Sequence, residues 1–184
     1  MGENPRERKV AKVIKKDFFC DCNAVELAEK LVGKIICYRD DGENRKDEDN
    51  TPFNIKARII ATKANLNNAG CENDKNKLEG RLCSAGHLYI CKDENNKLYI
   101  EISAGKEGVP ESVTIVAVDI YDNAQDGVKH LYLDEKTSEK INLMESKDVW
   151  LENDSADVEL KQMPEENPYK FKAEAITYKF MGEA

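Results

Sequence analysis

No run of apolar residues in this chain approaches the length of about eighteen that a membrane-spanning helix needs, so no span is expected to cross a bilayer. An apolar leader is missing as well. The opening Met-Gly-Glu-Asn-Pro-Arg-Glu-Arg-Lys is charged and nothing apolar follows it, which predicts no export signal. Internal repeats and heptads are absent, which excludes solenoid arrays and coiled coils. Apolar residues make up only 40 % and aromatics 7 %, below the usual share, so the buried set has to be economical. Positive charge is in deficit too, with 28 Lys and Arg against 36 Asp and Glu and a net charge of −8. Non-specific affinity for duplex DNA comes from bases that neutralise phosphates, and an acidic chain repels that polyanion unless its bases gather on one face. Cysteine is absent beyond Cys91. The six thiols, Cys20, Cys22, Cys37, Cys71, Cys83 and Cys91, all lie in the first half. Without an export signal they read as reduced thiols of an intracellular protein, nuclear or cytoplasmic, and not as a disulfide framework.

What is present fits one domain, since 184 residues can bury a core of their own. Charge is polarised along the chain. Arg6, Arg8, Lys9, Lys12, Lys15 and Lys16 gather in a polar, basic arm over 1–16, while 119–166 is acidic. After Phe18 and Phe19, Asp21 or Asn23 can cap a helix whose apolar positions are Val25, Leu27, Ala28, Leu31 and Val32, ended by Gly33. A strand is expected over 34–39, a mobile polar loop over 40–51, and a returning strand over 53–62 with Ile55, Ala57, Ile59 and Ala61 on one face. A polar connection over 65–83 leads to a hairpin of strands over 86–90 and 97–103. The apolar run 113–120 suits a strand covered on both faces. Weak helical material around 134–143, a short strand at 149–151 and a closing strand over 171–180 follow. The element order predicts an α+β domain with a largely antiparallel sheet.

Five segments, in order, resemble the alkyladenine (3-methyladenine) DNA glycosylase family. Asp17-Phe-Phe-Cys through Leu31-Val-Gly-Lys34 is similar to the family's double Phe, helix and Leu-Gly-Lys turn. Arg58-Ile-Ile-Ala-Thr-Lys-Ala-Asn65 is similar to its R-I-[IV]-E-T-E-A-Y strand, and Ala85-Gly-His-Leu-Tyr-Ile-Cys91 to Pro-Gly-[HT]-Leu-Tyr-Val-Tyr. Val113-Thr-Ile-Val-Ala-Val-Asp-Ile120 answers to V-L-[IL]-R-A-[LV]-E-P, and Val149-Trp-Leu-Glu152 to [LV]-W-L-E. The likeness spans most of 17–180, and it implies a single glycosylase-like domain over 17–184 with a curved antiparallel sheet flanked by helices.

Hydrolysis of an N-glycosidic bond in duplex DNA needs a pocket for the flipped base, a wedge for the gap and a carboxylate to activate water. The resemblance places that carboxylate in the E-T-E-A-Y strand, where this chain has Ala61 at the first glutamate and Lys63 at the second. Asn65 stands at the stacking Tyr, Asp74 at a following His, Cys91 at the second Tyr of the next strand, Glu94 at the wedge Tyr and Val116 at an Arg. Framework residues Gly33, Arg58, Gly86, Leu88, Tyr89 and Trp150 are kept. Fold kept with chemistry removed predicts a pseudoenzyme with no catalytic residues and no cofactor.

Two other chemistries compete. Lys63 shares a strand face with Ala61, and a pocket lysine can attack a sugar carbon to form a Schiff base. Cys83, His87 and Cys91 are spaced to stack three metal ligands on a helix. On the strand expected there, residues four apart lie about 13 Å apart, so no metal site is expected. Cys20-Asp-Cys22 is too tight for a zinc knuckle, and His130 has no matching cluster. Three functions follow: a non-catalytic protein that binds a protein partner, or mimics DNA, through its acidic surface; a DNA binder without cleavage, with weak duplex affinity; or an active glycosylase with a relocated catalytic residue.

Overall fold

A computed structural model describes residues 11–40, 53–120, 123–125, 128, 131, 133, 136, 138–154, 156–163 and 169–178. The basic positions of the arm before residue 11, nearly all of the loop expected at 40–51, His130 and much of the acidic stretch lie outside the described residues.

Chain entry is anchored by β1 (Lys12–Val13) on β9 (Val149–Asn153). Ile14 follows, buried, with its amide on the Leu151 carbonyl at 2.8 Å, so the end of the arm belongs to the sheet. A 3-10 turn over Lys16–Phe18 leads to α1 (Ala24–Leu31). Of the two candidate caps Asn23 does the work: its side chain accepts from the Glu26 amide, and Glu26 answers the Asn23 amide, a reciprocal capping box. Asp21 instead takes a positive φ of 58° in the turn before it. Gly33, at φ 90°, ends the segment.

The fold is α+β, with an antiparallel sheet curled into a half-barrel and helices set against it. Its main path runs β1, β9, β2 (Ile35–Asp40), β3 (Phe53–Asn65), β6 (Ser112–Ile120), β5 (Leu98–Ser103), β4 (His87–Lys92) and β8 (Lys140–Asn142). A hairpin of β10 (Ala156–Gln162) and β11 (Lys170–Tyr178) joins the second half of β3, and β7 (Asn123–Gln125) pairs with β6. The 13-residue β3 is the spine: it pairs first with β2, then with β6 and β11.

One face of the sheet is the main core. Ala24, Leu27, Ala28 and Leu31 of α1 are fully buried against it. Burial of a leucine on this scale contributes about 1.5–3 kcal/mol, which offsets the marginal stability of an eight-residue helix. Leu88, Ile90, Ile100, Ile102, Val113, Ile115 and Val118 carry the same core across β4, β5 and β6.

Four expectations need correction. The connection over 65–83 contains α2 (Lys75–Arg81), which Asp74 caps by accepting from the Lys77 amide. Its many polar residues hid it, because α2 buries only Gly80 and Arg81. The apolar run of β6 is not covered on both faces, since Val116 is 43 % exposed. Where 134–143 is described, Lys140–Asn142 is a strand paired to β4 and not helical. Finally, Ala61 does not continue the face of Ile55, Ala57 and Ile59. The inward set on β3 runs Ile55, Ala57, Ile59 and then Thr62 and Ala64, because the register slips at Ile60.

Candidate functional site

That slip is matched across the ladder. Ile59 pairs with Val118, Ala61 with Ala117 and Thr62 with Ile115, so Ile60 on β3 and Val116 on β6 are each passed over. Two strands change phase together, and both keep their apolar residues on the core side. Irregularities of this kind bend strands and gather beside functional sites. Thr62, inward just past the slip, donates its hydroxyl to the Ala28 carbonyl at 2.8 Å and ties the bend to α1. Ala61 and Val116, two of the sequence-derived site positions, therefore meet at the bend in the middle of the sheet. Ala61, Lys63 and Asn65 all point away from the core, which keeps Lys63 on the face of Ala61 as expected.

The outward face carries a polar cluster beneath α2. Residues in register on it are Asn65 and Ser112, Lys63, Thr114 and Glu101, then Tyr89 opposite Glu101. Glu101 is 1 % exposed and takes two bonds from Arg81, at 3.1 Å from Nε and 2.9 Å from one terminal nitrogen. Tyr89 and Ser112 donate their hydroxyls to the same carboxylate at 2.8 Å each. Arg81 also donates to the Asn67 and Ala69 carbonyls, and Asn65 donates to Ser112 and Thr114. A buried ion pair persists only when its remaining donors and acceptors are satisfied, and this one is. Burial draws the Arg81 guanidinium down, but its bonds to Glu101 outweigh that and hold it protonated.

The remaining site positions separate. Cys91 is buried on β4, and burial, with Glu101 adding to it, pushes its thiol well above the ordinary range, so it is inert as a nucleophile. Asp74 and Glu94 line an open cavity of about 590 Å³ with Glu72, Lys75, Lys92 and Asn96. Neither Ala61, Lys63, Asn65, Cys91 nor Val116 lines that cavity. The structure thus joins Ala61, Lys63 and Val116 at the bend, fixes Asn65 in hydrogen bonds and sets Asp74 and Glu94 at the far end of α2. His87 and Cys91 lie on one strand. Among the described residues no group of three or more His, Cys, Asp and Glu side chains is placed to hold a metal ion. All six cysteines are free thiols.

Arg81, Glu101 and Ser112 were not singled out from the sequence. Glu101 gave a signal, as a lone carboxylate inside the strand pattern of 97–103, but its partner sits twenty residues upstream on an unforeseen helix. A further basic feature also became visible only in register. Lys63 pairs with Lys170, and Lys172 pairs with both Ala61 and Lys161, so four lysines share one face across β3, β11 and β10. Glu174 answers Lys161 at 3.8 Å. At the other end, Glu152 is taken up by Lys56 and Trp150 and Asp154 by Arg58. No protein-family model and no curated protein matches the chain.

Proposed function

We propose that this chain is a glycosylase-like protein that acts by binding and does not hydrolyse N-glycosidic bonds. One observation carries the reading: among the described residues no carboxylate stands opposite Ala61, which faces Ala117 and Lys172, or Lys63, which faces Thr114 and Lys170. Asp119, two residues past Ala117, lies opposite Arg58 with one oxygen buried. Thr114 lies opposite Lys63, and the acid beyond it, Glu101, is buried and accepts from Arg81, Tyr89 and Ser112. A water-activating base must reach a proton in a cleft that substrate can enter, and Glu101 meets neither need. The binding surface in this reading is the acidic part of the chain, facing a basic protein partner, with Glu159 exposed on β10 as one of its members.

A second reading, non-cleaving nucleic-acid binding, is favoured by the lysine array. Lys63, Lys170, Lys172 and Lys161 lie on one face of neighbouring strands, an arrangement along which a phosphate backbone could be laid.

The test uses duplex oligonucleotides carrying hypoxanthine or ethenoadenine. No base release above buffer is expected, and no borohydride-trapped adduct at Lys63 with abasic DNA. Release or trapping would overturn the proposal and restore an active glycosylase or lyase. Retention on plain duplex that fades steeply with salt, and weakens in Lys170→Ser and Lys172→Ser, selects the second reading. Absence of retention at low salt leaves the acidic-surface reading.

A further inference from the structure

A second chemical grouping joins the turn before α1 to the helix's last turn, and nothing in the proposed function uses it. The Lys30 ammonium stands 3.1 Å from the Cys22 sulfur and donates to the Phe18 carbonyl at 2.9 Å. It also lies 4.9 Å from the centroid of the Phe18 ring. The Cys22 thiol is directed at the same carbonyl, at 3.7 Å. Lys30 is exposed as a residue, yet three contacts fix its tip beside one sulfur, and a flexible lysine is rarely so constrained. Cys22 is only 9 % exposed, but it borders open space. An open cavity of about 640 Å³ is lined by Cys22 with Cys20, Asn23, Ser84, Lys106 and Met144. The other buried thiols differ: Cys37 and Cys91 lie within the sheet, where burial pushes Cys37 up to about 12 and Cys91 further, and Cys71, in the connection before α2, is also pushed up by burial.

We propose that Cys22 and Lys30 are an oxidant-responsive pair that joins covalently through sulfur and nitrogen. Hydrogen peroxide, the co-reactant, oxidises the Cys22 sulfur by two electrons: the sulfur attacks one peroxide oxygen, the O–O bond breaks, and water leaves with the thiol proton. The sulfenic acid so formed lies beside Lys30. Once its ammonium has released a proton to solvent, the nitrogen lone pair attacks sulfur, the S–O bond breaks, and the hydroxyl departs as water with a second nitrogen proton. An S–N bond replaces one S–H and one N–H, and one peroxide becomes two waters. The link closes the chain between residues 22 and 30, removes a positive charge, and clips the turn before α1 to the helix's last turn. Thiols reverse it by attack at sulfur.

The test exposes the full chain to hydrogen peroxide, blocks remaining thiols by alkylation and digests with trypsin. Loss of cleavage after Lys30 is expected, giving a peptide over 17–34 that carries one alkyl label, on Cys20, and is about 2 Da lighter than the same singly labelled peptide with a free Cys22 thiol. Dithiothreitol should restore cleavage. Cys20→Ser should keep the link. Lys30→Arg keeps a cation at the site but cannot close, so its Cys22 should proceed to sulfinic acid. A Cys20–Cys22 disulfide with normal cleavage after Lys30 would overturn the proposal. So would over-oxidation of Cys22 in the unaltered chain, an unreacted thiol, or a linked peptide that retains an oxygen.

Discussion

At the scale of single residues, the cluster under α2 shows how tightly a polar network constrains its neighbours. Gly80 lies over the ring of Tyr89, and a methyl group there would land well inside the ring's van der Waals surface. Alanine in a helix interior is worth about 1 kcal/mol over glycine, while overpacking costs about 1–3 kcal/mol. Tyr89 cannot swing aside without leaving Glu101, so the loss should win. Gly80→Ala is expected to lower the urea midpoint, and an unchanged or raised midpoint would show that α2 can slide. Arg81 makes a sharper case. Its pair with Glu101 has side chains only 4 % and 1 % exposed, and removing one partner of such a pair costs about 3–5 kcal/mol. Arg81→Ala should therefore come close to unfolding the domain at 25 °C, read by circular dichroism or urea titration.

At the scale of elements, the matched slip on β3 and β6 decides what the face can present. Ile60 and Val116 are the residues passed over. Deleting either one alone leaves the opposite irregularity unanswered and misaligns the inward residues of one strand against the other. Deleting both restores consecutive pairing of Ile59, Ala61 and Thr62 with Val118, Ala117 and Ile115. Since a one-residue change of phase turns every side chain to the other face, the double deletion is expected to cost less than the sum of the singles in thermal unfolding. Additive costs would mean the two slips are independent. The capping box on α1 is a smaller matter: Asn23→Ala should cost about 1 kcal/mol, also seen as a lower melting temperature.

At the scale of the whole molecule, two of its many carboxylates, Glu152 and Asp154, are held in ion pairs with Lys56 and Arg58 near β2 and β9. Burial pushes the Glu152 carboxyl up, but the hydrogen bonds from Lys56 and Trp150 outweigh it and leave the group below the ordinary range. Asp154 behaves alike, with Arg58 and the Ala156 amide overcoming burial. Groups held below their unfolded values stabilise the fold above those unfolded values, and the gain is lost as pH falls through the lowered, folded ones. The domain is therefore expected to keep its melting temperature from about pH 7 down to about pH 5 and lose it steadily below about pH 4. A melting temperature that holds flat to pH 3 would show that these pairs contribute nothing.

Much was legible before any fold was seen. Local patterns gave α1 and its cap, β2, the β4–β5 hairpin, β9 and the α+β class, because amphipathic period and turn chemistry act over a few residues. Alternation also gave the shared face of Ala61 and Lys63. The phase of β3 was illegible beyond Ile59, since a slip is fixed by the partner strand and the helix packed over it, and α2 was missed because polar cover disguised it. The amino-acid sequence by itself determined which side chains exist: no glutamate at 61 or 63, and lysines far outnumbered by acids. Only the tertiary structure decided that Glu101 is spent on Arg81, that four lysines share one face, and that Lys30 rests on Cys22. Those facts depend on pairing between residues distant in the chain, and short-range propensities carry no information about it.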